Sequence, residues 1–188
     1  MPPSLTDTLH EWRDFYLLVG TASATLVGLM FVAASIGASL FNEKYVGPLR
    51  AFITPTVVHF ASPLFASIIL TMPNHNWVSL GAFLGLGGLA GLLYCGRVLA
   101  LIMQRFASTL DWEDRTFYAL APALGYLLLL AAGGAELAEQ PPAAAKLIAA
   151  AILILLAAGL RNAWDMMVWL SVRSPSSPNQ NPDPGTDP

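Results

Sequence analysis

The sequence predicts an all-α protein, a polytopic membrane bundle of five transmembrane helices. Five long apolar stretches, at residues 15–41, 51–72, 77–103, 117–137 and 143–170, fill most of the 188 residues. About 20 apolar residues of helix cross a bilayer core, and each stretch reaches that length. Charged residues make up only 11% of the chain and hydrophobic ones 55%, against about 25% charged in soluble domains. That imbalance leaves too little polar surface to keep five apolar helices in water. The domain plan is therefore a lead-in over 1–14, a transmembrane domain over 15–173 and a tail over 174–188.

The lead-in reads as a short amphipathic helix, with Leu5, Leu9 and Trp12 on one face. Trp12 and Tyr16 suit the headgroup level. Asp7, Glu11 and Asp14 outnumber Arg13, the reverse of a basic signal-peptide start, so the first apolar run is read as a retained span. In that run Gly20, Ala24 and Gly28 form a small-residue stripe that lets backbones approach in lipid. Residues 42–50, with Gly47-Pro48, read as a polar turn. The second span carries Pro55 and Pro63, each of which removes a helical hydrogen bond.

Residues 72–76, with Pro73, make a tight turn. The third span is dense in glycine, and Gly81/Gly85 and Gly87/Gly91 are spaced for close packing. This places it at the centre of the bundle, against the first span. Residues 104–116 form a longer polar segment in which Asp111 suits an N-cap of the fourth span, with Asp114 completing a box-like pair. That span carries Pro122 and Gly125. Residues 136–142 are the last loop, and Glu136 and Glu139 face out there. The tail has five prolines and no apolar anchor, a composition that does not fold. No internal repeat is visible, and five spans do not divide into two inverted halves.

Lysine and arginine counts orient the chain. The N-terminal side would carry Arg13 and Lys146, and the opposite side Lys44, Arg50, Arg105, Arg115 and Arg173. The surplus puts the N-terminus outside and the C-terminus in the cytoplasm.

Ionisable residues at membrane depth are costly and point to function. His59, Arg97 and Asp165 each lie about 12 Å from the cytoplasmic end of their helix. Arg161 and Asn162 lie slightly deeper, and Ser35 is close to the same level. These six form a candidate polar layer with three readings. It is a dry structural layer in which Arg97 pairs with Asp165, a wet cavity open to the cytoplasm, or a set of charges that snorkel to the interface. His59, between Pro55 and Pro63, either titrates or bonds a carbonyl freed by a proline.

No nucleophile elbow, zinc-protease helix or intramembrane aspartate pair appears, and the glycines of the third span sit in too apolar a context to cradle phosphate. His59 lacks a second axial histidine for haem, and no metal-ligand set is spaced along the chain. Cys95 is alone, so it forms no internal disulfide. No basic patch marks nucleic acid. No cofactor and no enzymatic activity are expected; the partners are the lipid bilayer and either further copies or another membrane protein.

The string Ala24-Thr25-Leu26-Val27-Gly28-Leu29-Met30-Phe31-Val32-Ala33-Ala34-Ser35-Ile36, preceded by His10-Glu11-Trp12-Arg13-Asp14-Phe15-Tyr16, resembles a group of small bacterial inner-membrane proteins. The run Arg161-Asn162-Ala163-Trp164-Asp165 is consistent with it. The resemblance spans the five apolar stretches and excludes the tail. It implies a bacterial plasma-membrane location and brings no established activity. Two functions remain open: a structural or regulatory protein that works by helix packing, and an oligomeric channel or transporter built on the polar layer around His59, Arg97 and Asp165.

Overall fold

The computed structural model describes residues 4–40, 46–106 and 120–173, with side chains over 4–35, 54–101 and 120–168. Among the described residues there are six helices and no strand. They are α1 (Leu5–Glu11), α2 (Arg13–Leu40), α3 (Val46–Thr71), α4 (Trp77–Phe106), α5 (Ala121–Leu137) and α6 (Pro141–Arg173). Four of them contain segments long and apolar enough to cross a membrane: Arg13–Ser35, Thr54–Thr71, Trp77–Leu101 and Pro141–Val168. The fifth apolar helix, α5, has 17 residues.

Each boundary has a local cause. Ser4 and Asp7 form a reciprocal capping box at the start of α1: the Asp7 amide donates to Ser4 Oγ at 3.2 Å, and the Ser4 amide donates to Asp7 Oδ2 at 3.2 Å. The bonds from Ser4 hold the exposed Asp7 carboxyl below its ordinary range. The chain turns from α3 to α4 through Asn74 at φ 65°, and Asn76 starts α4 by accepting from the Ser79 amide at 2.7 Å. Glu139, at φ 55°, makes the turn between α5 and α6.

The sequence places a turn at 42–50, whereas α3 already starts at Val46. Pro48 falls in its first turn, where the missing amide costs nothing. The last helix likewise starts earlier and ends later than 143–170, because Pro141 and Pro142 occupy its first turn. The capping pair Asp111/Asp114 and the tail from 174 lie outside the described residues.

The long helices pack in a row, α2 on α3, α3 on α6, α6 on α5 and α5 on α4. Close contacts set their directions. Gly20 near the start of α2 meets Ser67 near the end of α3, and Gly81 near the start of α4 meets Leu137 at the end of α5. Neighbours therefore run antiparallel. This arrangement overturns the expected packing of the first span on the third: α2 and α4 occupy opposite ends of the row.

The glycines divide accordingly. A Cβ at Gly20 would lie 2.9 Å from Ser67 Cβ, one at Gly81 would lie 2.9 Å from Leu137 Cγ, and one at Gly91 would overlap the Tyr126 ring. Gly85 contributes its backbone, since a Cβ on Gly133 of α5 would sit 2.6 Å from its nitrogen. Positions Gly28 and Gly87 open onto free space, and Ala24 is exposed, so these three do not mediate packing within one copy. The partner of the glycine-dense helix is α5, itself supplied with Gly125 and Gly133.

Leu5, Leu9 and Trp12 pack against the main core, so α1 covers one end of the bundle. Tyr16 is buried in that core rather than placed at a surface.

Candidate functional site: a buried polar centre around His59

His59 sits in the middle of α3 and is 1% exposed. The two prolines that flank it act on the backbone. An α-helical amide at position 63 would bond the His59 carbonyl, and Pro63 has none to give. Relief for a freed carbonyl was one expected role of the histidine ring. The ring instead faces Tyr126 of α5, with Nδ1 3.4 Å from the tyrosine hydroxyl and ring centroids 6.0 Å apart.

Ser62, one turn along α3, completes the set. Its Oγ lies 2.8 Å from the Tyr126 hydroxyl and donates its one proton to the Val58 carbonyl at 2.9 Å. With that proton given to Val58, the Tyr126 proton goes to Ser62 Oγ, and the tyrosine oxygen accepts from His59 in the tautomer that carries its proton on Nδ1. The result is a directed chain from His59 to Tyr126 to Ser62 to the Val58 carbonyl. It begins and ends on α3 and passes through one residue of α5.

Tyr126 can reach His59 because α4 makes room for it. The ring lies over Gly91, where any Cβ would overlap it. Three helices thus cooperate: Gly91 seats the ring, Tyr126 spans the gap and α3 receives the hydroxyl. Beside this centre Phe60 packs on Gly159 of α6, where a Cβ would be 2.6 Å from the phenyl ring.

The remaining members of the sequence-derived layer separate. Asn162 is 1% exposed, and neither its amide nitrogen nor its amide oxygen has a hydrogen-bond partner. Asp165 takes its ion pair from Arg161 in the same helix, Nε to Oδ2 at 3.1 Å, with Arg161 46% exposed. Arg97 is exposed on α4, a helix that packs on α5 rather than α6. The expected Arg97–Asp165 pair is therefore replaced by an i,i+4 pair that faces outward. Ser35 is exposed and returns its hydroxyl to the Phe31 carbonyl at 2.8 Å. Matched depth along each helix did not bring these groups together, because depth does not say which way a side chain points.

Four residues outside the layer, Thr8, Tyr16, Ser67 and Glu136, also carry buried polar atoms. Tyr16 and Glu136 are 1% and 2% exposed, and the Tyr16 hydroxyl and Glu136 Oε2 have no hydrogen-bond partner. The sequence assigns Glu136 to an outward loop; the structure buries it in the last turn of α5, on the face of the helix that is turned inward.

The chain matches no known protein family, no curated protein and no solved structure.

Proposed function

We propose that this chain is a five-span integral membrane protein of the bacterial inner membrane that works by helix packing, in a structural or regulatory role and without catalysis. One observation carries the reading. The hydrogen-bond chain from His59 closes on the Val58 carbonyl of its own helix. A chain that ends on a backbone carbonyl fixes the register of α3 against α5 and offers no onward acceptor for a moving proton. Other hydroxyls are satisfied in the same local way. Thr21, Ser23 and Thr25 donate to the Leu17, Val19 and Thr21 carbonyls at 2.7–2.9 Å, which lets polar residues sit among apolar ones.

The second reading, an oligomeric channel or transporter, draws on Asn162, whose buried amide is unpartnered. Reconstitution in liposomes separates the two. Under the packing reading, proton and potassium fluxes equal those of protein-free vesicles. A flux that the wild type supports and His59→Leu abolishes would overturn that reading in favour of transport.

A further inference from the structure

One charge interrupts the exposed apolar surface of α4. Leu86, Ala90, Leu93, Arg97 and Leu101 follow one another at three- and four-residue spacing, so they share a face of the helix. All five are exposed. The opposite face, with Gly81, Gly88 and Gly91, packs on α5. The stripe that carries Arg97 therefore faces away from the bundle.

The level of Arg97 follows from helix length. α4 starts at Trp77 and α6 at Pro141, at the same end of the bundle, since Gly81 meets Leu137 and α6 begins just after that residue. Arg97 and Arg161 each lie twenty residues along their helices, about 30 Å from that end. The hydrocarbon core of a bilayer is about 30 Å thick. The exposed Trp77 and Trp164 bracket this distance, as aromatic side chains do at the two headgroup levels. Both helices run on past it, to Phe106 and Arg173. Arg97 thus emerges where acyl chains give way to headgroups.

At this level the described residues supply Arg97 with no anion. Their one acidic side chain here is Asp165, which Arg161 holds at 3.1 Å. The others lie toward the end covered by α1, on α1, at the start of α2 and at the end of α5. A guanidinium on a lipid-facing surface is costly without a partner, and a phosphate matches its fork of donors. Leu93, Ala90 and Leu86 run back from Arg97 into the core, at the depth of an acyl chain. A phosphate joined to acyl chains is a phospholipid. A zwitterionic headgroup brings a cation that competes with Arg97 for the phosphate, whereas an anionic one does not.

We propose that Arg97 binds the phosphate of an anionic phospholipid in the leaflet away from α1, with an acyl chain along Leu93, Ala90 and Leu86. The inference rests on the reading of α4 and α6 as membrane spans and adds a ligand to it.

The test is native mass spectrometry of the full chain in nonionic detergent with equal amounts of phosphatidylglycerol and phosphatidylcholine. The phosphatidylglycerol adduct of the wild type should exceed the phosphatidylcholine adduct by roughly five-fold. Arg97→Gln should make the two equal. Lys146→Gln removes the same charge at the other end of the bundle and should keep the preference. Equal adducts in the wild type would overturn the proposal, as would a preference that survives Arg97→Gln or one that Lys146→Gln also abolishes, which would assign it to net charge. Displacement of the lipid by soluble glycerol phosphate would overturn it in favour of a free-phosphate site. Alkaline carbonate washing of membranes separates this failure from that of the spanning reading: a chain that is released overturns both, and a retained chain without lipid preference overturns the site alone.

Discussion

Tyr126 is where one atom has the widest effect. Its hydroxyl meets both His59 Nδ1 and Ser62 Oγ, so Tyr126→Phe leaves a buried ring nitrogen and a hydroxyl each short of a partner. The loss should be about 1–2 kcal/mol, a fall in thermal midpoint of several degrees that differential scanning fluorimetry resolves. An unchanged midpoint would show that the chain contributes nothing to packing. His59 was legible in the sequence because a histidine between two prolines inside an apolar run stands out. Tyr126 was not, since it sits in a leucine-rich run where an aromatic residue reads as core. Its role depends on Gly91 of another helix, and no local pattern links positions 91 and 126. Glu136 was misplaced for a related reason: the apolar stretch already reaches 137, but a carboxylate at the end of a helix reads as solvated unless the face it occupies is known.

Helix pairing rests on a few close backbone approaches, and these give a sharp contrast between glycines. A Cβ on Gly133 would lie 2.6 Å from the Gly85 nitrogen and 2.7 Å from the Gly81 carbonyl oxygen. Backbone atoms cannot rotate out of the way, so Gly133→Ala must push α5 from α4, at about 1–3 kcal/mol. Gly28→Ala meets nothing and should leave the midpoint unchanged or slightly raised, since alanine favours helix over glycine. Equal losses in the two variants would contradict the row order of the helices. The spacing of small residues was readable along α2 and α4, and it marked both as helices that permit close approach. What it did not contain was the partner. In lipid a small-residue face fits any other helix that also lacks bulk, and α5 offered Gly125 and Gly133 where the first span was expected. The proline-broken α3 came out as one continuous helix from Val46 to Thr71, the second helix of the row, with helical neighbours on both sides.

At the scale of the whole molecule, the apolar side chains point the wrong way for water. Leu18, Phe31, Leu86 and Trp164 are each more than 60% exposed, on three different helices. Soluble monomers rarely present contiguous apolar patches beyond a few hundred Å². This outward face was fully legible, because composition and run length alone forced it, and it is also what makes insertion in a bilayer the consistent reading. Orientation then follows from charge. If all five apolar helices span, five lysines and arginines (Lys44, Arg50, Arg105, Arg115 and Arg173) would fall on one side and two (Arg13 and Lys146) on the other, which predicts that the richer side faces the cytoplasm. The start of α2, the end of α3, the start of α4 and the end of α5 share one end of the bundle, as the Gly20–Ser67 and Gly81–Leu137 approaches and the short turn between Thr71 and Trp77 require. Arg13 is at that end, so that end of the bundle would face the outside. Single cysteines at Ser4→Cys and Ser176→Cys, in a Cys95→Ala background, test this with a membrane-impermeant maleimide on intact cells. Label should appear at position 4 and not at position 176. Label at 176 alone would reverse the orientation, whereas label at both positions or at neither would require an even number of spans and remove α5, the shortest of the apolar helices, from the membrane count.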